Sequence, residues 1–146
     1  MKNLHESVER WLVQDGHSVI ETKTEDNFKI IIKNADAFSN NLEIFEPKQQ
    51  ANILVIGVKI PLKSKQMIRY LKLNQKEKEN FEKKITDFCY SIKAINKFFD
   101  EDGMKMVGVY IVLDKKEQLN QPNFMITLTK IIEVSEKTAQ FLYKSF

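Results

Sequence analysis

The stretch 53–60, Ile-Leu-Val-Ile-Gly-Val-Lys-Ile, constrains this chain more than any other segment. In an extended backbone Leu54, Ile56, Val58 and Ile60 share one face, and Ile53 and Val55 make the opposite face partly apolar. A strand that is apolar on both faces belongs in the middle of a sheet, with neighbours on both sides. The longest apolar run, 53–58, is far short of the roughly 20 residues that span a bilayer as a helix. Pro61 ends the strand because it has no N–H to give to a ladder.

The rest of the chain supplies the neighbours. Residues 18–24 and 27–33 read as a hairpin around Glu25-Asp26-Asn27, with Phe28, Ile30 and Ile32 on one face of the second arm. Residues 34–51 read as a loop containing a short strand, 42–46, that stops at Pro47. Residues 104–113 are a strand with Val107, Val109, Ile111 and Leu113 on one face; Gly108 on the other leaves room for a close neighbour.

Four stretches have helical spacing. Leu4, Val8, Trp11 and Leu12 predict a helix over 2–15, stopped by Gly16. Ser64 is the expected N-cap of a short helix through Lys72. Asn74 with Glu77 three residues later resembles a capping box, and Phe81, Ile85, Phe88 and Ile92 continue from it as the long helix, with Ile95 as a further possible turn. Residues 96–101 fit either helix or strand. Pro122 opens a last helix whose apolar face (Phe124, Leu128, Ile131, Ile132, Ala139, Leu142, Phe146) is widened by Val134 and Phe141. Only Lys130, Glu133, Lys137, Gln140 and Lys144 form its polar stripe, so the helix must be well covered. The predicted order is α-β-β-β-α-β-β-α. It implies a single α+β domain over 1–146, with an antiparallel sheet of about five strands covered on one face by the long helix and the C-terminal helix.

Composition removes most kinds of chemistry. The 146 residues carry 23 basic and 20 acidic side chains, a net charge of +3 that is too small to indicate nucleic acid by itself. One cysteine, Cys89, excludes an internal disulfide and fits a reducing cytoplasm. The first residues contain no apolar signal region, so neither export nor a membrane partner is expected. Two histidines, His5 and His17, stand at no zinc-motif spacing, and each reads as exposed or locally hydrogen-bonded; no metal is expected. Asp100, Glu101 and Asp102 read as a solvated turn ending at Gly103. No Gly-x-Ser-x-Gly elbow is present. The four glycines are too far apart to cradle a phosphate. Cys89 borders an apolar helix face and reads as structural. No cofactor and no enzyme activity are expected.

The element order resembles the fold of the class I type III secretion chaperones. The sequence itself resembles a small archaeal domain family of unknown function believed to share that fold. Three stretches carry the likeness: Phe45-Glu46-Pro47 leading into 53–60; the helical run 64–73 followed by Glu77, Phe81 and Ile85; and Val109-Tyr110-Ile111-Val112-Leu113-Asp114 before the helix from Pro122. Where that family tends to carry Asp-Gly-Leu after the tyrosine-containing strand, this chain has Asp114-Lys115-Lys116-Glu117-Gln118-Leu119. Secretion chaperones bind an extended client segment and dimerise, and the resemblance implies the same behaviour here.

The functional expectation is therefore a non-enzymatic cytoplasmic binding protein for a protein or peptide partner, acting as a homodimer. Its partner-binding candidates are Ile53, Val55, Met104, Met106, Tyr110 and Val112, which give the second sheet face apolar content. The alternative for that face is that residues 34–51 fold over it. The competing function is nucleic-acid association through the basic region 63–97, which holds ten basic residues against four acidic ones; its candidates are Lys63, Lys65, Arg69, Lys72, Lys83 and Lys84. Only one of those ten is arginine, the side chain suited to bidentate phosphate contacts.

Overall fold

A computed structural model describes residues 3–101 and 103–145. The order is α1 (Leu4–Gln14), β1 (Ile20–Glu21), β2 (Phe28–Ile32), β3 (Leu42–Glu46), β4 (Leu54–Pro61), α2 (Ser64–Leu71), α3 (Gln75–Ser91), β5 (Ile95–Glu101), β6 (Met104–Leu113) and α4 (Gln121–Ser145), with a 3₁₀ turn at Lys116–Gln118. The strands form one antiparallel sheet in the order β1-β2-β3-β4-β6-β5. The architecture is the α+β one expected from the sequence, with six strands in place of about five. β4 lies inside the sheet between β3 and β6, as its two apolar faces required.

Strand alternation sets the two faces. Phe28, Ile30, Ile32, Leu42, Ile44, Leu54, Ile56, Val58, Ile60, Val107, Val109 and Leu113 are buried and look toward the helices. α4 packs across β4 and β6, and α3 against β5. α1 joins them through Trp11, whose ring lies 5.3 Å from that of Phe124. The polar stripe expected on α4 is exposed throughout. Cys89 is fully buried on α3, and burial pushes its thiol up to about 11, so it is inert at neutral pH.

Several boundaries differ from the sequence reading. β1 is two residues long rather than seven. α2 has Lys63, not Ser64, as its N-cap residue, and the Lys63 N–H donates to Gln66 Oε1 at 2.8 Å. α3 is the second-longest helix: Ile92 is its C-cap, Ile95 opens β5, and α4 runs for 25 residues. The open choice at 96–101 resolves as strand, because Ile95–Glu101 pairs along its whole length with β6. The capping box holds: the Glu77 N–H donates to Asn74 Oδ1 and the Asn74 N–H to Glu77 Oε1, at 2.9 and 3.0 Å. Asp102 and Phe146 lie outside the described residues.

The segment between β2 and β3 does not fold over the second sheet face. Asp36 draws it to the helical side. One carboxylate oxygen accepts from the Phe38 and Asn40 N–H groups, both at 2.9 Å; the other accepts from Asn40 Nδ2 at 3.0 Å and from the Ser135 hydroxyl of α4. Phe38 then packs on the core edge. A carboxylate that satisfies four donors anchors a loop where those donors are, and here they lie beside α4.

Candidate functional site

Because the loop goes to the other side, no described segment covers the second face of the sheet. Its residues follow from register. Tyr110 on β6 stands opposite Gly57 of β4 and Ile95 of β5, and Val55 of β4 stands opposite Phe45 of β3 and Val112 of β6. Lys29, Glu43, Lys59, Lys97 and Phe99 complete a groove of about 390 Å³.

Two glycines make the floor flat. A Cβ at Gly57 would fall 2.0 Å from Tyr110 Cδ1. One at Gly108 would fall 2.6 Å from Phe99 Cε2 and 2.7 Å from the Tyr110 hydroxyl. The Tyr110 ring thus lies down on backbone in a space that any side chain would fill. Burial raises its phenol pKa, and the charges of Glu43 and Glu101 add to the effect.

The rim carries both signs of charge. Lys29 Nζ lies 3.7 Å from Glu43 and 5.6 Å from the Phe45 ring centre. Lys59 Nζ lies 3.0 Å from Glu101 and 4.9 Å from the Phe99 ring; Lys97 approaches the same ring at 5.2 Å. The Lys29 and Lys59 ammonium groups are each held by a carboxylate and a ring face at once.

Of the six partner-binding candidates, Val55, Tyr110 and Val112 line this groove. Met104 and Met106 follow on the same face toward the start of β6, where Met106 pairs with Phe99 and Pro61. Ile53 precedes β4, is half-buried and does not line the groove. Sequence reasoning missed Phe45, Ile95, Phe99 and the lysine–glutamate rim. Their signal was present in the alternation of 42–46 and 95–101, and it becomes readable only once both segments are strands.

The basic candidates Lys63, Lys65, Arg69, Lys72, Lys83 and Lys84 are all exposed, but they do not share one groove. Arg69 and Lys84 line a cleft between α2, α3 and the end of α4 together with the acidic Glu77. Lys63 borders a different cavity beside Ile60 and Ala139. Lys65, Lys72 and Lys83 line neither.

The histidines also find partners. His17 pairs with Asp15 at 2.9 Å. His5 Nε2 lies 2.9 Å from Glu9 Oε1 and 2.9 Å from Glu21 Oε1. The hydrogen bond to Glu21, then burial, raises the Glu9 pKa. For Glu21 burial acts upward, but the hydrogen bonds from Glu9 and His5 outweigh it and lower the pKa.

This arrangement, a six-stranded antiparallel sheet with helices on one side and an aromatic groove on the other, defines an α+β protein with one open sheet face. The chain belongs to the family described as Uncharacterized conserved protein (DUF2299), whose profile matches residues 4–142. No curated protein matches it. Among solved structures it is similar to an uncharacterized protein from Methanothermobacter thermautotrophicus, with a TM-score of 0.79 and 11% identity, over 98% of this chain and 99% of that one. At that identity the likeness is one of fold. No helix among the described residues is long and apolar enough to cross a membrane.

Proposed function

We propose that this chain is a non-enzymatic binding protein that takes a protein or peptide partner on the open face of its sheet, chaperone-like in architecture, and that it self-associates there as a homodimer. The observation that carries this reading is the uncovered groove of Phe45, Val55, Ile95, Phe99, Tyr110 and Val112. A contiguous apolar surface with a polar rim favours association. The rim supports a polypeptide over a polyphosphate, because Lys29 and Lys59 are already compensated by Glu43 and Glu101. A face with both signs around an apolar centre can also meet a copy of itself across a two-fold axis. A cytoplasmic location fits the lone, buried Cys89.

The test is light scattering coupled to size exclusion across a hundredfold dilution from micromolar concentration. A species of twice 17.2 kDa that persists at high salt is expected. Val112→Asp should disperse it, and Leu71→Asp, at an exposed position on α2, should not. A single species near 17.2 kDa at every dilution overturns the dimer.

A second reading, single-stranded nucleic acid on the same face, is favoured by one observation: Lys59 and Lys97 both approach the Phe99 ring on which a base could stack. Anisotropy of a labelled oligonucleotide decides it. Binding that weakens steeply between 50 and 200 mM salt supports this reading.

A further inference from the structure

We propose that His5, Glu9 and Glu21 form a binding site for a divalent first-row metal ion, with zinc the ion to test. The site lies on the helical side of the sheet, away from the open face. α1 sets His5 and Glu9 one turn apart on one helix face. β1 turns Glu21 toward them: Glu21 stands opposite Ile30, which looks into the core, whereas its neighbour Ile20 stands opposite Ile31 on the other face. Two consecutive elements thus converge one imidazole nitrogen and two carboxylates, with ligand atoms all within 4.8 Å of one another.

A second observation, independent of the contacts within the cluster, fixes the aim of the nitrogen. The His5 ring lies flat on Phe28, with centroids 4.5 Å apart and planes 4° from parallel. Stacking on a core side chain holds the imidazole plane, so Nε2 is presented to the carboxylates before any ligand arrives. Two carboxylates converge on a single imidazole, a grouping of ligand atoms that a divalent ion fits.

The donor set selects the class. Imidazole nitrogen with carboxylate oxygen and no thiolate suits borderline divalent ions. Zinc takes such ligands at about 2.0–2.2 Å, and three protein ligands leave a further position open. The 2.9 Å separations from Nε2 to each oxygen need only a small side-chain adjustment to admit an ion at that bond length. Bound there, the ion would clasp the first turns of α1 to β1, a strand of only two residues.

Isothermal titration of the chelator-treated full chain with zinc chloride, paired with thermal melts, tests the site. One ion per chain is expected, with a melting temperature that rises as zinc is added. His5→Ala should weaken binding tenfold or more and abolish the thermal shift. Glu21→Gln, a change at an exposed edge, should weaken binding without unfolding the chain, as circular dichroism would confirm. His17→Ala should bind like the parent, because the His17 ring pairs with Asp15 and is not part of the cluster. Zinc bound with unchanged affinity by both His5→Ala and Glu21→Gln, or no binding by the parent at millimolar zinc, overturns the proposal.

Discussion

Single residues decide the character of both sheet faces. Gly57 and Gly108 each stand among β-branched neighbours, Ile56 and Val58 or Val107 and Val109, and each lies where the Tyr110 ring needs space. Gly57→Ala should force the ring off the floor and cost about 1–3 kcal/mol in urea denaturation. In a Tyr110→Ala background the same change should cost far less, and a double-mutant cycle reads the difference. Asp36 governs the other side. Burial alone would raise its pKa, but the hydrogen bonds from Ser135, Asn40 and Phe38 hold it below the usual carboxylate range. Its contribution is therefore complete above the unfolded-state pKa, near 4, and is lost as pH falls through the lower folded value. Asp36→Asn should destabilise the protein at neutral pH and flatten the acid limb of its stability curve, measured by denaturant titration from pH 7 to 2. The sequence showed Asp36 only as a loop residue. Its partner, Ser135, lies 99 positions away, and no local pattern announces such a bond. Lys105 was hidden in the same way: it occupies a core-facing position of β6, buried because Glu82 of α3 meets it at 2.8 Å and the Tyr70 and Phe98 rings flank it.

Elements with strong periodicity were legible, and short ones were not. The limits of β6 follow from its alternation, and α4 follows from its width of apolar surface. Thr127, Ser135 and Thr138 are nevertheless buried on α4, where Thr127 and Thr138 satisfy their hydroxyls on backbone carbonyls one turn back. β5 was ambiguous because Phe98 and Phe99 fit either period, and its pairing with β6 settles a choice that local sequence left open. α4 is core rather than a detachable tail. Leu128→Ala, at 3% exposure, should cost on the order of 2–5 kcal/mol. Ile132→Ala should cost less, because Ile132 is only half-buried. Removal of residues 122–146 should leave an aggregating chain, whereas a truncation that melts cooperatively would show α4 to be peripheral.

At the scale of the molecule, the sheet has a seam. β1 to β4 pair as sequence neighbours, and so do β5 and β6, but β4 meets β6 with Leu54 opposite Leu113 and Pro61 opposite Met106, across α2, α3 and β5. Closing so long a loop is entropically expensive and tends to come late in folding. The architecture is thus two locally wired halves joined by one long-range zipper. A chain cut between α2 and α3 keeps a meander of four strands in one piece and a hairpin with α3 and α4 in the other, leaving one edge of β4 and one edge of β6 without a partner. Mixing the two pieces should restore the circular dichroism and melting of the whole, which neither piece shows alone. The same wiring makes each half a hazard to its neighbours during synthesis: until β6 is made, the exposed edge of β4 stands open to another copy's β6, and domain-swapped pairs are the expected by-product of crowded expression.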